Sequence, residues 1–188
     1  EPANFDWENY VNSTNSPHSS GERGGNGDEL STYENTLTKT ESLQDHLMWQ
    51  LGVTSLPPDE MTVAEEILGN INDDGYLKIS LDEIALTTHT SLAMAEKVLK
   101  KIQGFDPIGV GARDIKECLL LQVALIGGEE GELIGKVIRE HLVDLEKHDY
   151  KKIARGMNIP LERVMDIEKV IHQLDPKPGR AYSDAQPE

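Results

Sequence analysis

An internal repeat constrains this chain more than any other feature. One gapless shift lays Ile84-Ala85 on Ile153-Ala154, Leu92 on Leu161, Lys100 on Lys169 and Ile102 on Ile171. The same shift lays Phe105-Asp106-Pro107 on Leu174-Asp175-Pro176. Helices share a period, so matched apolar positions alone say little. An Asp-Pro pair at one offset does not follow from periodicity, and each pair is followed by Gly and then Arg: Gly111-Ala112-Arg113 and Gly179-Arg180. Each copy reads as a short helix, a tight turn and a longer helix, a helix-turn-helix-like unit. The expected fold class is therefore all-α, with two small helical subdomains.

Helix signals run through most of the chain. Ser42 is a plausible N-cap, with Asp45 in the first turn and Leu43, Leu47, Met48 and Leu51 at helical spacing. Pro57-Pro58 breaks the chain, and Asp59 or Thr62 opens a helix whose stripe is Met61, Ala64, Ile67, Leu68 and Ile71. Asn72-Asp73-Asp74-Gly75-Tyr76 is a turn. Its start resembles a calcium loop, but the twelve-residue pattern is incomplete. Ser80 and Glu83 form a capping box for a helix ending near Thr87. Ser91 opens the next, to about Gln103, with Leu92, Ala95, Val98, Leu99 and Ile102 inward. Later helices are expected from about Glu132 to Lys147, after the cap Asp149 to about Arg155, and after Pro160 to about Leu174, with Leu161 and Val164 inward.

Residues 102–126 join the two copies. Phe105 to Gly111 reads as a rigid elbow: Pro107 pushes Asp106 out of helical geometry, and Gly109 and Gly111 permit positive φ or close backbone approach. Ala112 to Ile126 reads as a helix apolar enough to be almost wholly buried, with Asp114 and Glu117 favoured near its N-terminus. Gly127–Gly131 is the expected hinge. The expected division is an acidic linker over 1–41, a first helical subdomain over 42–126 and a second over 132–182. The first 41 residues hold eight acidic side chains against Arg23 and Lys39, and bury too little to offset their ordering entropy, so disorder is expected. Phe5, Trp7 and Tyr10 are either a small docking motif or chance placement. Both ends of the chain read as cut from something longer.

The totals exclude several functions. The chain has 34 acidic and 18 basic residues, a formal net charge of −16, which argues against gripping nucleic acid phosphates. The single Cys118 rules out an internal disulfide and a multi-cysteine metal site. Gly109 and Gly111 invite a dinucleotide reading, but Asp114 stands where a third glycine is needed and no strand precedes. His141 and His148 lack further ligands for a metal. No cofactor, metal or catalytic group is expected. With no long apolar run and no signal peptide, the cytoplasm is the default location, and a monomer is expected. Arg113 and Arg180 each follow a rigid turn. Either they are held outward as anchors for a partner, or they cap carbonyls within the turn.

The run Phe105-Asp-Pro-Ile-Gly-Val-Gly-Ala-Arg-Asp-Ile-Lys-Glu-Cys-Leu-Leu-Leu-Gln122 resembles the core-binding region of bacterial sigma-54 factors, the enhancer-dependent sigma subunits of RNA polymerase. Leu174-Asp-Pro-Lys-Pro-Gly-Arg-Ala-Tyr182 is similar to the signature closing that region, and Leu43–Leu51 and Ile71–Leu77 also fit. The resemblance implies an all-helical module that binds the β and β′ subunits of core polymerase and performs no catalysis. It implies indirect links only to an AAA+ activator, through an absent N-terminal region, and to promoter DNA, through absent C-terminal modules. The partner-contacting residues expected by position are Asp106, Pro107, Gly109, Gly111, Arg113 and Asp114 on the first turn, and Asp175, Pro176, Gly179 and Arg180 on the second. The alternative is a stand-alone DNA-binding module using the helix-turn-helix-like units. Readout would need basic or amide groups where the first unit has Leu92-Ala93-Met94-Ala95-Glu96.

Overall fold

A computed structural model describes residues 42–183. The acidic segment 1–41, with Phe5, Trp7 and Tyr10, lies outside the described residues. Nine helices lie among the described residues: α1 (Leu43–Val53), α2 (Pro58–Gly69), α3 (Leu81–Thr87), α4 (Leu92–Ile102), α5 (Ile115–Val123), α6 (Gly128–Glu146), α7 (Tyr150–Met157), α8 (Leu161–His172) and α9 (Arg180–Ser183). Among the described residues no strand forms, and two isolated bridges, Ile71 with Leu77 and Tyr76 with Ala112, are the nearest approach to a sheet. The all-α expectation holds.

Four helix starts have the predicted caps; α2 starts at Pro58, ahead of Asp59 and Thr62, and Pro160 precedes α8 as its N-cap rather than opening it. Ser42 accepts from the Asp45 N–H while Asp45 reaches back, and Ser80 and Glu83 do the same. Ser91 accepts from the Met94 N–H and Asp149 from the Lys152 N–H. Asn158 ends α7 in the left-handed conformation, which Asn tolerates better than most residues.

Two cores form. Leu47 and Leu51 of α1, Val63 and Ile67 of α2, Ile84 of α3 and Val98 and Ile102 of α4 lie in the first. Leu119 and Val123 of α5, Ile134, Val137 and Ile138 of α6, Ile153 of α7 and Val164 and Ile167 of α8 lie in the second. Helix α5, placed by its position in the first packet, thus buries its apolar side in the second cluster.

The repeat is larger than the gapless shift suggested. Helix α1 corresponds to α5: the cap pair Ser42/Asp45 to Asp114/Glu117, Leu47 to Leu119, Gln50 to Gln122, Leu51 to Val123. The offset differs from that of the later helices because the connections differ. The first copy has a short α2 and the Asn72–Tyr76 turn. The second replaces both with α6, which kinks at His141 (φ −130, ψ 18).

Three local expectations need correction. Helix α5 covers Ile115–Val123 rather than Ala112–Ile126, and Leu125 and Ile126 are exposed. Within the helix only Cys118, Leu119 and Val123 are buried: Leu119 and Val123 enter the second core, and Cys118 lies against Gly109 and the Asp175 carbonyl. Helix α6 begins at Gly128, not near Glu132, so the expected hinge reduces to Gly127 and Gly128, both at positive φ. Glu129 and Glu130 suit a first helical turn, and Gly131 is small enough to lie against the Val123 carbonyl. Leu92 and Leu161 are both 42% exposed, not inward. Each is the first residue of its helix, ahead of the stripe that faces the core.

At the edge of the first core, under two exposed lysines, sits an ionic group that the apolar pattern does not reveal. Glu60 is only 4% exposed. Its carboxylate accepts from Lys101 Nζ at 2.5 Å and Lys97 Nζ at 2.7 Å. The Lys101 bond first, then Lys97, holds its carboxyl below the usual range. This pairing is what permits a carboxylate there.

Candidate partner-docking turns

The two Asp-Pro turns are built alike. Phe105 anchors the first turn in the first core. Gln50 Nε2 donates to the Asp106 carbonyl at 2.6 Å, and the Asp106 N–H donates to Gln50 Oε1 at 2.9 Å. At the second turn Gln122 Nε2 donates to the Asp175 carbonyl at 2.6 Å, and the Asp175 N–H donates to Gln122 Oε1 at 2.9 Å. One primary amide thus satisfies both backbone groups of an aspartate that the following proline keeps out of a helix. Neither glutamine stood out in the sequence. Aligning the two cap pairs would have placed Gln50 on Gln122.

The glycines of the first turn have distinct reasons. Gly109 has φ +99, and a Cβ there would lie 2.8 Å from Cys118 Sγ and 3.0 Å from Gln122 Nε2. Gly111 has φ +72, and its N–H donates to the Gly75 carbonyl at 2.9 Å, tying the elbow to the Asn72–Tyr76 turn. Val110 between them is fully buried.

Asp114 is the N-cap of α5, accepting from the Glu117 N–H at 2.8 Å. Glu117 accepts from the Arg113 N–H, Nε and Nη2, each at 2.8 Å, and from Gln103 Nε2 at 3.1 Å. Burial alone would raise the Glu117 carboxyl; the Arg113 bonds and then Gln103 leave it below its usual range. The Arg113 guanidinium is thus met by a carboxylate rather than by turn carbonyls, yet its side chain stays 58% exposed. Beside it Ile115 is 45% exposed. The surface presented by the first turn is therefore an arginine, the cap Asp114 and an isoleucine.

The second turn faces inward as well as outward. Asp175 Oδ1 accepts from the Lys177 N–H at 2.8 Å. The Pro176 carbonyl accepts from the Tyr76 hydroxyl, and the Gly179 N–H donates to the Asp74 carbonyl at 3.2 Å. Arg180 Nε and Lys177 Nζ each donate to the Asp74 carboxylate at 3.0 Å. Lys177 first, then Arg180, lowers the Asp74 carboxyl from its ordinary value. Burial, with Cys118 alongside, pushes the Tyr76 hydroxyl up to about 12, so it remains a donor. The Tyr182 hydroxyl donates to Asp106 Oδ2 at 3.1 Å, which also meets His46 Nε2 at 3.3 Å. The structure therefore brings the two sets of expected residues together, through contacts that start from Asp74, Tyr76 and Tyr182.

Cys118 is fully buried beneath this junction, and burial raises its thiol above the ordinary value. His141 bonds Asp144 at 2.9 Å. Among the described residues no three His, Cys, Asp or Glu side chains converge as a metal ion would require, and no helix is long and apolar enough to cross a membrane.

Comparison with known proteins gives a consistent result. The family described as "Sigma-54 factor, core binding domain" matches residues 32–188. The RNA polymerase sigma-54 factor of Salmonella typhimurium strain LT2 is 37% identical over 169 residues, covering 86% of this chain and 34% of that protein. The sigma-54 factor of Acidithiobacillus ferridurans is 35% identical over 163 residues, covering 85% and 34%. That of Escherichia coli K12 is 34% identical over 169 residues, covering 86% and 34%. The chain spans about a third of the length of these curated relatives. The helices, the duplicated Asp-Pro turns and a family match over most of the sequence lead to one conclusion: this chain belongs to the sigma-54 factor core-binding domain family.

Proposed function

We propose that this chain docks on the β and β′ subunits of core RNA polymerase and positions, in longer chains of the family, the regions that answer an AAA+ activator and read promoter DNA. The observation that supports this reading most is the family match across residues 32–188, with the Phe105–Gln122 run inside it. The module works by shape and charge: no step of bond making is assigned to it, and the cytoplasm is its place of action. The docking surface is assigned to the outer sides of the two turns, Asp106 to Arg113 with Asp114, and Asp175 to Arg180.

The test is retention of purified core polymerase by the immobilised chain at low micromolar protein. Absence of retention would refute the reading. Salt-dependent capture of duplex DNA by the isolated chain would replace it with the DNA-binding alternative. Arg113→Ala separates docking from structure. The Arg113 side chain is 58% exposed, and without its guanidinium Glu117 keeps the Arg113 N–H and Gln103 bonds, so the stability lost is about 1 kcal/mol or less. The expected result is weakened core retention with an almost unchanged Tm. A large Tm drop with binding intact would assign Arg113 to the fold alone.

A further inference from the structure

The end of the second copy returns to the first through contacts that are mostly polar. Lys177 and Arg180 share Asp74, with side chains 42% and 60% exposed. The Tyr182 ring lies 4.8 Å from that of His46 on α1 and packs partly against the first core. Each copy lends the other a tyrosine: Tyr76 bonds the Pro176 carbonyl of the second turn, and Tyr182 bonds the Asp106 carboxylate of the first.

The seat is shaped for a glycine. A Cβ on Gly179 would lie 2.3 Å from the Asp73 carbonyl oxygen and 2.7 Å from the Gly75 nitrogen. Backbone atoms cannot yield to such an approach, so Gly179 enters only because it has no side chain. Gly75, across from it, has φ +95, and a Cβ there would lie 3.2 Å from Pro178 Cγ and from Gly179 N. The second copy has no counterpart of the Asn72–Tyr76 turn, so the seat occurs once.

Segments held by exposed ion pairs and few buried apolar groups open locally before the cores do. We propose that residues 175–182 form a reversible latch on the Asn72–Tyr76 turn. Closed, it ties the two copies together and holds Tyr182 against His46 of α1. Open, it frees the second turn from the first copy and uncovers Cys118. That thiol lies 3.6 Å from the Asp175 carbonyl of the latch, with Gln122 of its own helix at 3.4 Å and Gly109 of the elbow on its other sides, so the latch forms one side of its cover. Proteins that dock by shape gain a two-position joint from such a device: the cores stay intact while the second turn moves relative to the first.

Cys118 is the single cysteine in the sequence and serves as the reporter. The experiment follows modification of the whole chain by dithionitrobenzoate under native conditions, against NaCl concentration. Wild-type labelling should accelerate with salt as the Asp74 pairs are screened. Asp74→Asn should label faster at low salt, by about tenfold, the scale set by losing one charge-assisted anchor of a local opening, and should lose most of the salt dependence. Gly179→Ala should label faster still. Asp166→Asn removes an exposed pair with Lys169 away from the latch and should leave the rate unchanged. Wild-type rates in both latch variants would overturn the proposal. So would labelling that follows the global urea stability of each variant, including the core variant Val164→Ala, since Cys118 would then be reached only by unfolding.

Discussion

Replacing Gln122 by alanine tests the central packing claim, that one amide sets each Asp-Pro turn. The truncation removes two hydrogen bonds, at 2.6 and 2.9 Å. A neutral bond of this kind contributes about 0.5–1.5 kcal/mol net. The Asp175 turn lies at the surface, so water can meet the orphaned N–H and carbonyl, and no full burial penalty applies. The expected loss is therefore about 1–3 kcal/mol, or a fall in Tm of roughly 3–10 °C for a body of this size. Urea denaturation followed by far-UV circular dichroism measures it, with the denaturant slope unchanged if only the folded state is affected. Gln122→Glu keeps the acceptor for the Asp175 N–H but sets a carboxylate oxygen against the Asp175 carbonyl, and should cost at least as much at neutral pH. Gln50→Ala should match Gln122→Ala, because the distances at Asp106 are the same. Losses below about 0.3 kcal/mol in both alanine variants would refute the reasoning: the turns would then be held by proline and apolar packing alone.

Further outcomes follow from other parts of the fold. Ile138→Ala, at a fully buried site in the second core, should cost about 2–5 kcal/mol in the same urea assay. Gly109→Ala forces a side chain onto Cys118 Sγ at φ +99 and should cost about 1–3 kcal/mol; retention of wild-type stability would show that the α5 side of the elbow can move away. The carboxyls of Glu60, Asp74 and Asp144 lie below their ordinary values of 4.5, 3.8 and 3.8, Asp144 through its His141 bond first and Lys152 second. Depressed carboxyls stabilise the fold above their unfolded values, and that stability is lost as pH falls through the folded ones. The urea midpoint should therefore hold from neutral pH to about pH 5 and fall below about pH 4; a midpoint that rises in acid would contradict the ion pairs.

Much of this protein is legible in its residues because local rules act locally. Ser42, Ser80, Ser91 and Asp149 cap helices through neighbours three residues away, and the apolar spacing of α2, α4 and α8 names most of their buried faces. The Asp-Pro turns are visible because proline restricts its own neighbour. Tertiary structure alone decided that α5 belongs to the second core and shows its back to solvent. It alone set Glu60 between two lysines, and it alone put Asp74 and Tyr76 against the closing segment. Those outcomes depend on which helix covers which, and contacts spanning a hundred residues leave no periodic trace. The repeat carried the link between the two levels. It made the two turns visible as a pair, while only their packing showed that each is completed by a tyrosine from the other copy.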